Sequence, residues 1–270
     1  MANLMINGQT RSDIVLVDYS IEPSKNTYTT QWRRNAANPI ITNQQAEEKE
    51  IKLKCLVVGN TKDDALKNVS NLCKDLSQCS LRFSDTSFTY DVYMPNSPTI
   101  TWYGDTDTGY DVCRYIVEAT VSSGRGYTDS IRVQKTLTFT QGQKDASTTF
   151  NIDGNVSTPL VIDFQIVSGA TTDHLVYFGL NASPNFDILN DYVKDKFAFL
   201  DILNGELVEV NSENFKILSN GVTSLSSFRG DFPFAKAPQQ LTLNVEFAAL
   251  MSGESSIVTN VWLQYRPRWF

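Results

Sequence analysis

The sequence predicts a mainly β chain with a single helix, in which an α+β half is followed by an all-β half built as a sandwich. Three observations predict it. The segment from Thr61 to Leu76 repeats its apolar residues at helical spacing, nearly everything else alternates with period two, and beyond about Leu137 short alternating runs follow one another with no helix between them. A mixed stretch followed by consecutive strands separates into two domains, and the boundary is placed near residue 135.

Within the helical segment Thr61 is a good N-cap, and Asp63 and Asp64 suit the positive end of the helix dipole. Leu66, Val69, Leu72, Cys73 and Leu76 fall at i, i+3, i+6, i+7 and i+10, which makes an amphipathic helix laid on a sheet. Upstream, Ile51, Leu53, Cys55 and Val57 share one strand face. Downstream, Leu81 and Phe83, the turn Ser84 to Ser87, then Phe88, Tyr90 and Val92 predict a hairpin. Cys113, Tyr115, Val117, Ala119 and Val121 form the apolar face of a long strand, and the polar run Ser122-Ser-Gly-Arg-Gly126 reads as a break, either a hairpin tip or the approach to a linker. In the second half the strands are Leu160 to Ile166, His174 to Leu180, Phe197 to Val210 and Leu241 to Phe247. Asn204-Gly205 and Asn220-Gly221 are two-residue hairpin signals, because both turn positions need positive φ. Regular short strands with such turns indicate a β-sandwich. A closing strand, Ile257 to Tyr265, runs into Arg266-Pro-Arg-Trp-Phe270.

With 41% hydrophobic and 20% charged residues in a chain of 270, the composition is that of an ordinary folded protein with a sizeable core. No run approaches the ~18 apolar residues that span a bilayer, and Met1-Ala-Asn-Leu-Met5 has neither the basic region nor the apolar core of a signal peptide. The chain is therefore read as a cytoplasmic product without membrane insertion. Cys55, Cys73, Cys79 and Cys113 lack metal-site or redox spacing and read as reduced, small apolar side chains. The net charge of −7 argues against general nucleic-acid binding, which relies on Lys and Arg neutralising phosphates. Cut at residue 135, the chain has Lys+Arg 15 against Asp+Glu 16 before and 8 against 14 after, so balances of −1 and −6 put most of the acidity in the second half.

Candidate chemistry is sparse. His174 stands alone within a strand, without the partners a triad or a zinc site requires, and reads as structural. Phosphate-binding glycine loops and nucleophile elbows are missing from the sequence. Gly104-Asp-Thr-Asp-Thr-Gly-Tyr-Asp111 places carboxylates at alternate positions but lacks the order of a calcium loop, and is taken as a polar hairpin tip. Arg229-Gly-Asp231 reads as a turn between aromatics rather than as an adhesion ligand. No catalytic residue, metal or cofactor is expected. The basic-aromatic clusters Trp32-Arg33-Arg34 and Arg266-Pro-Arg268-Trp269 are of the residue types that dominate protein interfaces, and they are the candidate interface residues.

Taken in order, these features resemble the distal tail protein (Dit) family of siphophages, the baseplate hub proteins. The likeness lies in the opening Asn7-Gly8, the run Glu47-Glu-Lys-Glu-Ile-Lys-Leu-Lys-Cys-Leu-Val-Val, the helix from Thr61 and the hairpin Leu81 to Met94. It continues in Asn151 to Phe164, Phe228 to Asn244 and the closing Tyr265 to Phe270. The resemblance implies a non-enzymatic virion protein of the phage tail tip, assembled in the host cytoplasm. Residues 1–135 would form a hexameric ring that binds the tail tube, residues 136–255 a peripheral galectin-like β-sandwich, and 256–270 a strand returning to the N-terminal domain. The partners implied are other copies in a homo-hexamer, the major tail tube protein, a tail-associated fibre or lysin, and in some members a receptor-binding protein. DNA would pass through the channel without specific binding. An arm between Asn181 and Phe199 is a further feature that some members suggest. A galectin-like shape does not confer sugar binding, since no set of His, Asn, Arg and Trp is spaced as in galectins. The alternative is a carbohydrate-binding sandwich using Trp102, Tyr103 or Tyr110 as stacking platforms. A glycosidase with paired carboxylates comes last, because no spacing singles out two acids.

Overall fold

In the computed structural model, which describes residues 2–23, 26–31, 40–46, 48–187 and 193–269, the chain divides into two units, Met1–Thr128 with Trp269–Phe270, and Asp129–Arg268. The division falls at Thr128 and not near residue 135, because the strand running through residue 135 lies wholly in the second unit.

The first unit is built from β1 (Leu4–Ile6), β2 (Gln9–Thr10), β3 (Ile14–Ile21), a separate pair β4 (Asn26–Gln31) and β5 (Ile40–Ala46), β6 (Lys49–Gly59), the helix α1 (Lys62–Leu76), β7 (Gln78–Phe83), β8 (Thr89–Tyr93), β9 (Thr99–Gly104) and β10 (Cys113–Tyr127). Its main sheet runs β2-β1-β7-β8-β10-β6-β3, and β9 also pairs with β10. Alternation along β6 and β10 buries Ile51, Leu53, Cys55 and Val57 against Tyr115, Val117, Ala119 and Val121, with Cys55 directly opposite Val117. Helix α1 covers that apolar face. The Thr61 hydroxyl caps it by accepting from Asp64 N at 3.2 Å, and Gly59 lets the helix start lie against the end of β6, where a Cβ would collide with the backbone of Ala65. The buried stripe is Ala65, Val69, Leu72 and Leu76. Leu66, expected on this stripe, is 45% exposed; spacing of i, i+4, i+7 and i+11 centres the face on Ala65, one position away.

The expected break after Val121 does not occur. β10 continues to Tyr127 by pairing with β8, and a register shift between Ser123 and Gly126 absorbs the glycines as a bulge. Ser122 and Ser123 are buried there.

The second unit contains β11 (Ile131–Phe139), β12 (Asp145–Ile152), β13 (Thr158–Pro159), β14 (Val161–Ser168), β15 (His174–Leu180), β16 (Lys196–Ile202), β17 (Leu207–Asn211), β18 (Lys216–Ser219), β19 (Val222–Thr223), β20 (Phe228–Gly230), β21 (Phe234–Ala235), β22 (Gln239–Phe247) and β23 (Ile257–Tyr265). They form a six-stranded sheet, β11-β23-β14-β17-β18-β19, a five-stranded sheet, β12-β22-β15-β16-β20, and a separate pair, β13-β21. The inward residues of both share one core, including Phe139, Phe164, Phe178, Phe197 and Phe247. Phe178 stacks on Phe197 at 4.7 Å, and Phe139 meets Phe247 edge-on at 4.7 Å. Fully burying each such ring contributes about 2–3 kcal/mol before the entropy of ordering is counted.

Of the two Asn-Gly signals, Asn220-Gly221 turns β18 into β19, with φ of 47° and 80°. Asn204-Gly205 does not close a hairpin. β16 and β17 belong to different sheets, and Gly205 N donates to Ile166 O at 2.7 Å as the chain crosses between them. The closing strand β23 lies inside the six-stranded sheet, between β11 and β14. Of the closing segment, the last strand, β24 (Arg268–Trp269), is the part that pairs with β10.

Candidate interaction surface

The C-terminal cluster is built by β23 running past Arg266 and Pro267 into β24. Arg266 and Arg268 both turn towards Glu213, at 3.8 and 3.7 Å. Their backbones are fixed: the Thr158 hydroxyl donates to Arg266 O at 2.8 Å, and Asn155 N to Arg268 O at 3.0 Å. Trp269 belongs with the first unit and meets the Phe88 ring edge-on at 6.2 Å. The structure therefore separates what the sequence reads as one cluster, placing the arginines in one unit and the tryptophan in the other. Among the described residues, Arg268 Nε and Trp269 Nε1 are buried donors without an acceptor. Both groups can only donate, so each carries a desolvation cost of about 1–3 kcal/mol while unsatisfied. Trp32, Arg33 and Arg34 lie outside the described residues, between β4 and β5.

The face of the first sheet opposite α1 is polar. A shallow depression of about 430 Å³ there is lined by Asp18, Tyr19, Lys52, Lys54, Glu118 and Thr120 among others. Lys54 pairs with Glu118 at 2.8 Å and Lys52 with Glu22. Hydrogen bonds to those carboxylates raise both amines above their ordinary range. Charges of alternating sign make this face solvated and nearly self-neutralising.

The aromatics of the carbohydrate alternative are engaged within the first unit. Trp102 meets Tyr115 edge-on at 4.9 Å and has the Lys62 ammonium 4.9 Å from its ring centre. Tyr110 lies beside Tyr103 and carries the Arg114 guanidinium 4.4 Å above its ring. In the adjoining loop the Asp105 carboxylate accepts from the N–H groups of Asp107 and Thr108, at 3.0 and 3.2 Å, closing the turn on itself.

Two constellations around buried carboxylates were not visible in the sequence. His174 Nε2 lies 3.0 Å from Glu254 Oε1, and Nδ1 3.2 Å from Ala249 O. Glu254 also accepts from Thr171 N at 2.7 Å, Thr171 Oγ1 at 3.1 Å and Met251 N at 2.8 Å. Burial pushes this carboxyl up, but the hydrogen bonds outweigh it and hold it at about 2. With both ring nitrogens occupied inside the protein, His174 ties the start of β15 to the loop that carries Ala249 and Glu254. The other constellation is Asp163, 5% exposed on β14, bonded by Arg132 at 2.6 Å. Arg132 also lies over the Trp262 ring at 5.6 Å. Burial, with Glu209 on the neighbouring strand adding to it, raises Asp163 despite the arginine. No sequence spacing links either pair, since Glu254 and Arg132 lie far along the chain from His174 and Asp163.

The four cysteines are free. Burial raises Cys55 to about 12 and Cys79 to about 11, leaving them protonated and unreactive. Among the described residues no group of His, Cys, Asp and Glu is arranged to hold a metal ion, and no helix is long and apolar enough to cross a membrane.

No protein-family model matches the sequence, and no curated protein does. Among solved structures, the crystal structure of the SPP1 Dit protein aligns over 100% of both chains, with a TM-score of 0.63 and 17% identity. The chain has the Dit fold. A chain of the phage p2 baseplate in its activated conformation with Sr aligns over 97% of this chain and 98% of its own, with a TM-score of 0.49 and 10% identity. SPP1 Dit is described as a paradigm of the hub adsorption apparatus in phages infecting Gram-positive bacteria. At 17% identity the likeness to this structure is one of fold.

Proposed function

We propose that this chain is a structural hub of a siphophage tail tip, linking the tail tube to the adsorption apparatus. The observation that carries the reading is the end-to-end match to the SPP1 Dit fold, both units included, with no part of either chain left over. In this role the protein acts by assembly and not by catalysis. Copies form a closed ring, a hexamer, through the first unit. The second unit is a galectin-like sandwich at the periphery. A tail tube protein meets one side of the ring, and a fibre or lysin, with or without a receptor-binding protein, the other. DNA slides through without specific binding.

Light scattering and electron microscopy of the purified protein test the reading. Six copies of 30.3 kDa give particles of about 182 kDa with a central opening. Particles without an opening, or saturable binding on a glycan array in place of assembly, count against it.

A further inference from the structure

A cavity of about 380 Å³ opens in the second unit where β15 ends and β16 and β22 begin, with β21 along one wall. Its size lies within the ~300–1,000 Å³ of small-molecule sites, which pair an apolar lining with a few placed polar groups. The apolar part is Leu180 and Leu241, 4% and 1% exposed, together with Phe234, which is left 43% in water. Phe215, 62% exposed and 6.4 Å from Phe234 between ring centres, continues the aromatic surface beyond the cavity.

The polar part is Asn181, Lys194, Asp195, Lys236 and Gln239. Neither lysine has a hydrogen-bond or ion-pair partner among the described residues, although the half of the chain that carries them is the more acidic. Asn181 is pinned from both sides. Its N–H donates to Thr242 O at 2.8 Å, and its Oδ1 accepts from Thr242 N at 2.7 Å, so the NH2 of the amide is left over. Leu180 N donates to Asp195 O at 2.9 Å, tying the end of β15 to the start of β16. Asn181 and Asp195 both hold left-handed φ, 51° and 59°, a conformation that persists where the surroundings fix it.

We propose that this cavity binds a sugar or polyol unit carrying an acidic group, a phosphate or a carboxylate, such as one residue of an anionic surface glycan. The lysines are point charges suited to the acidic group. The amides of Asn181 and Gln239 donate to hydroxyl oxygens, the Asp195 carboxylate accepts from a hydroxyl, and the Phe234 ring covers the C–H face of the sugar. A neutral sugar leaves both ammonium groups unused, and a bare anion leaves the apolar wall unused. The site is separate from the ring reading and gives the second unit a ligand of its own.

Calorimetric titration of the full chain at low salt tests it, with glucose 6-phosphate and glucuronic acid as acidic sugars and glucose and inorganic phosphate as the two halves of the ligand. At least one acidic sugar binds, one per chain, at about 1 mM or tighter, and the tighter of the two identifies the acidic group. Glucose and phosphate bind about tenfold more weakly or not at all. Replacing both exposed lysines, Lys194→Gln with Lys236→Gln, weakens the acidic sugar about tenfold or more at an unchanged melting temperature. Phosphate binding as tightly as the acidic sugars means an anion site without sugar recognition, and glucose binding as tightly means a site without charge recognition. Either overturns the proposal, as does the lack of saturable binding by both acidic sugars, or binding that survives the double lysine variant. Light scattering of the same samples reports the ring separately, so the two readings stand or fall independently.

Discussion

Glu254 receives hydrogen bonds from two backbone N–H groups, a hydroxyl and His174, and it is 1% exposed. Removing the histidine leaves a buried carboxylate short of a partner, so His174→Ala should cost about 3 kcal/mol in urea unfolding. The carboxyl is depressed from an ordinary 4.5 to about 2. A depressed acid contributes stability that is full above the unfolded value and is lost as pH falls through the folded one. Between pH 4.5 and 2 the melting temperature of the wild type should therefore fall more steeply than that of Glu254→Gln. Parallel slopes would show that the carboxylate contributes nothing to acid stability. The sequence gives His174 a structural reading, yet it does not identify the partner. Glu254 sits in an irregular loop, Ala248 to Ser256, where no periodicity assigns a direction to any side chain.

For α1 the ends and length were legible because capping and dipole preferences are local. The buried face was legible at Val69, Leu72 and Leu76 but not in the first turn, since the face there depends on which side the sheet lies. Apolar counting favours Leu66, whereas the sheet takes Ala65, whose small side chain lets α1 approach β6. Equilibrium unfolding should separate the positions. Thr61→Ala loses about 1 kcal/mol with the cap, Leu72→Ala about 3 kcal/mol with its cavity, and Leu66→Ala stays within about 0.5 kcal/mol. A Leu66→Ala cost as large as that of Leu72→Ala would contradict the packing described. β10 and the turn at Gly205 teach the same lesson. Glycines mark a local change of direction, but whether they end a strand, bulge it or carry the chain to another sheet is decided by partners distant in sequence.

At the scale of the whole chain, the order of elements was readable while most pairings were not, because register and sheet membership are set by non-local contacts. The sequence placed Ile257 to Tyr265 in a separate closing segment, yet β23 is an interior strand of the second unit and only Trp269 and Phe270 group with the first. Deleting Arg266 to Phe270 removes the Phe88 contact of Trp269 from one unit and the Glu213, Thr158 and Asn155 contacts from the other. Calorimetry should show the transitions of both units lowered by about 5 °C or more; an unchanged thermogram would make the terminus dispensable. The first unit is thus interrupted between Thr128 and Trp269, and everything between is a parenthesis in its chain. That parenthesis opens and closes at one doorway, because β11 and β23 are paired with Ile131 opposite Tyr265, a strand spacing of about 5 Å. A foreign domain whose own ends lie equally close could take the place of Ile131–Tyr265 without lengthening the path of the first unit. The architecture would then let one unit be exchanged while the other stays the same.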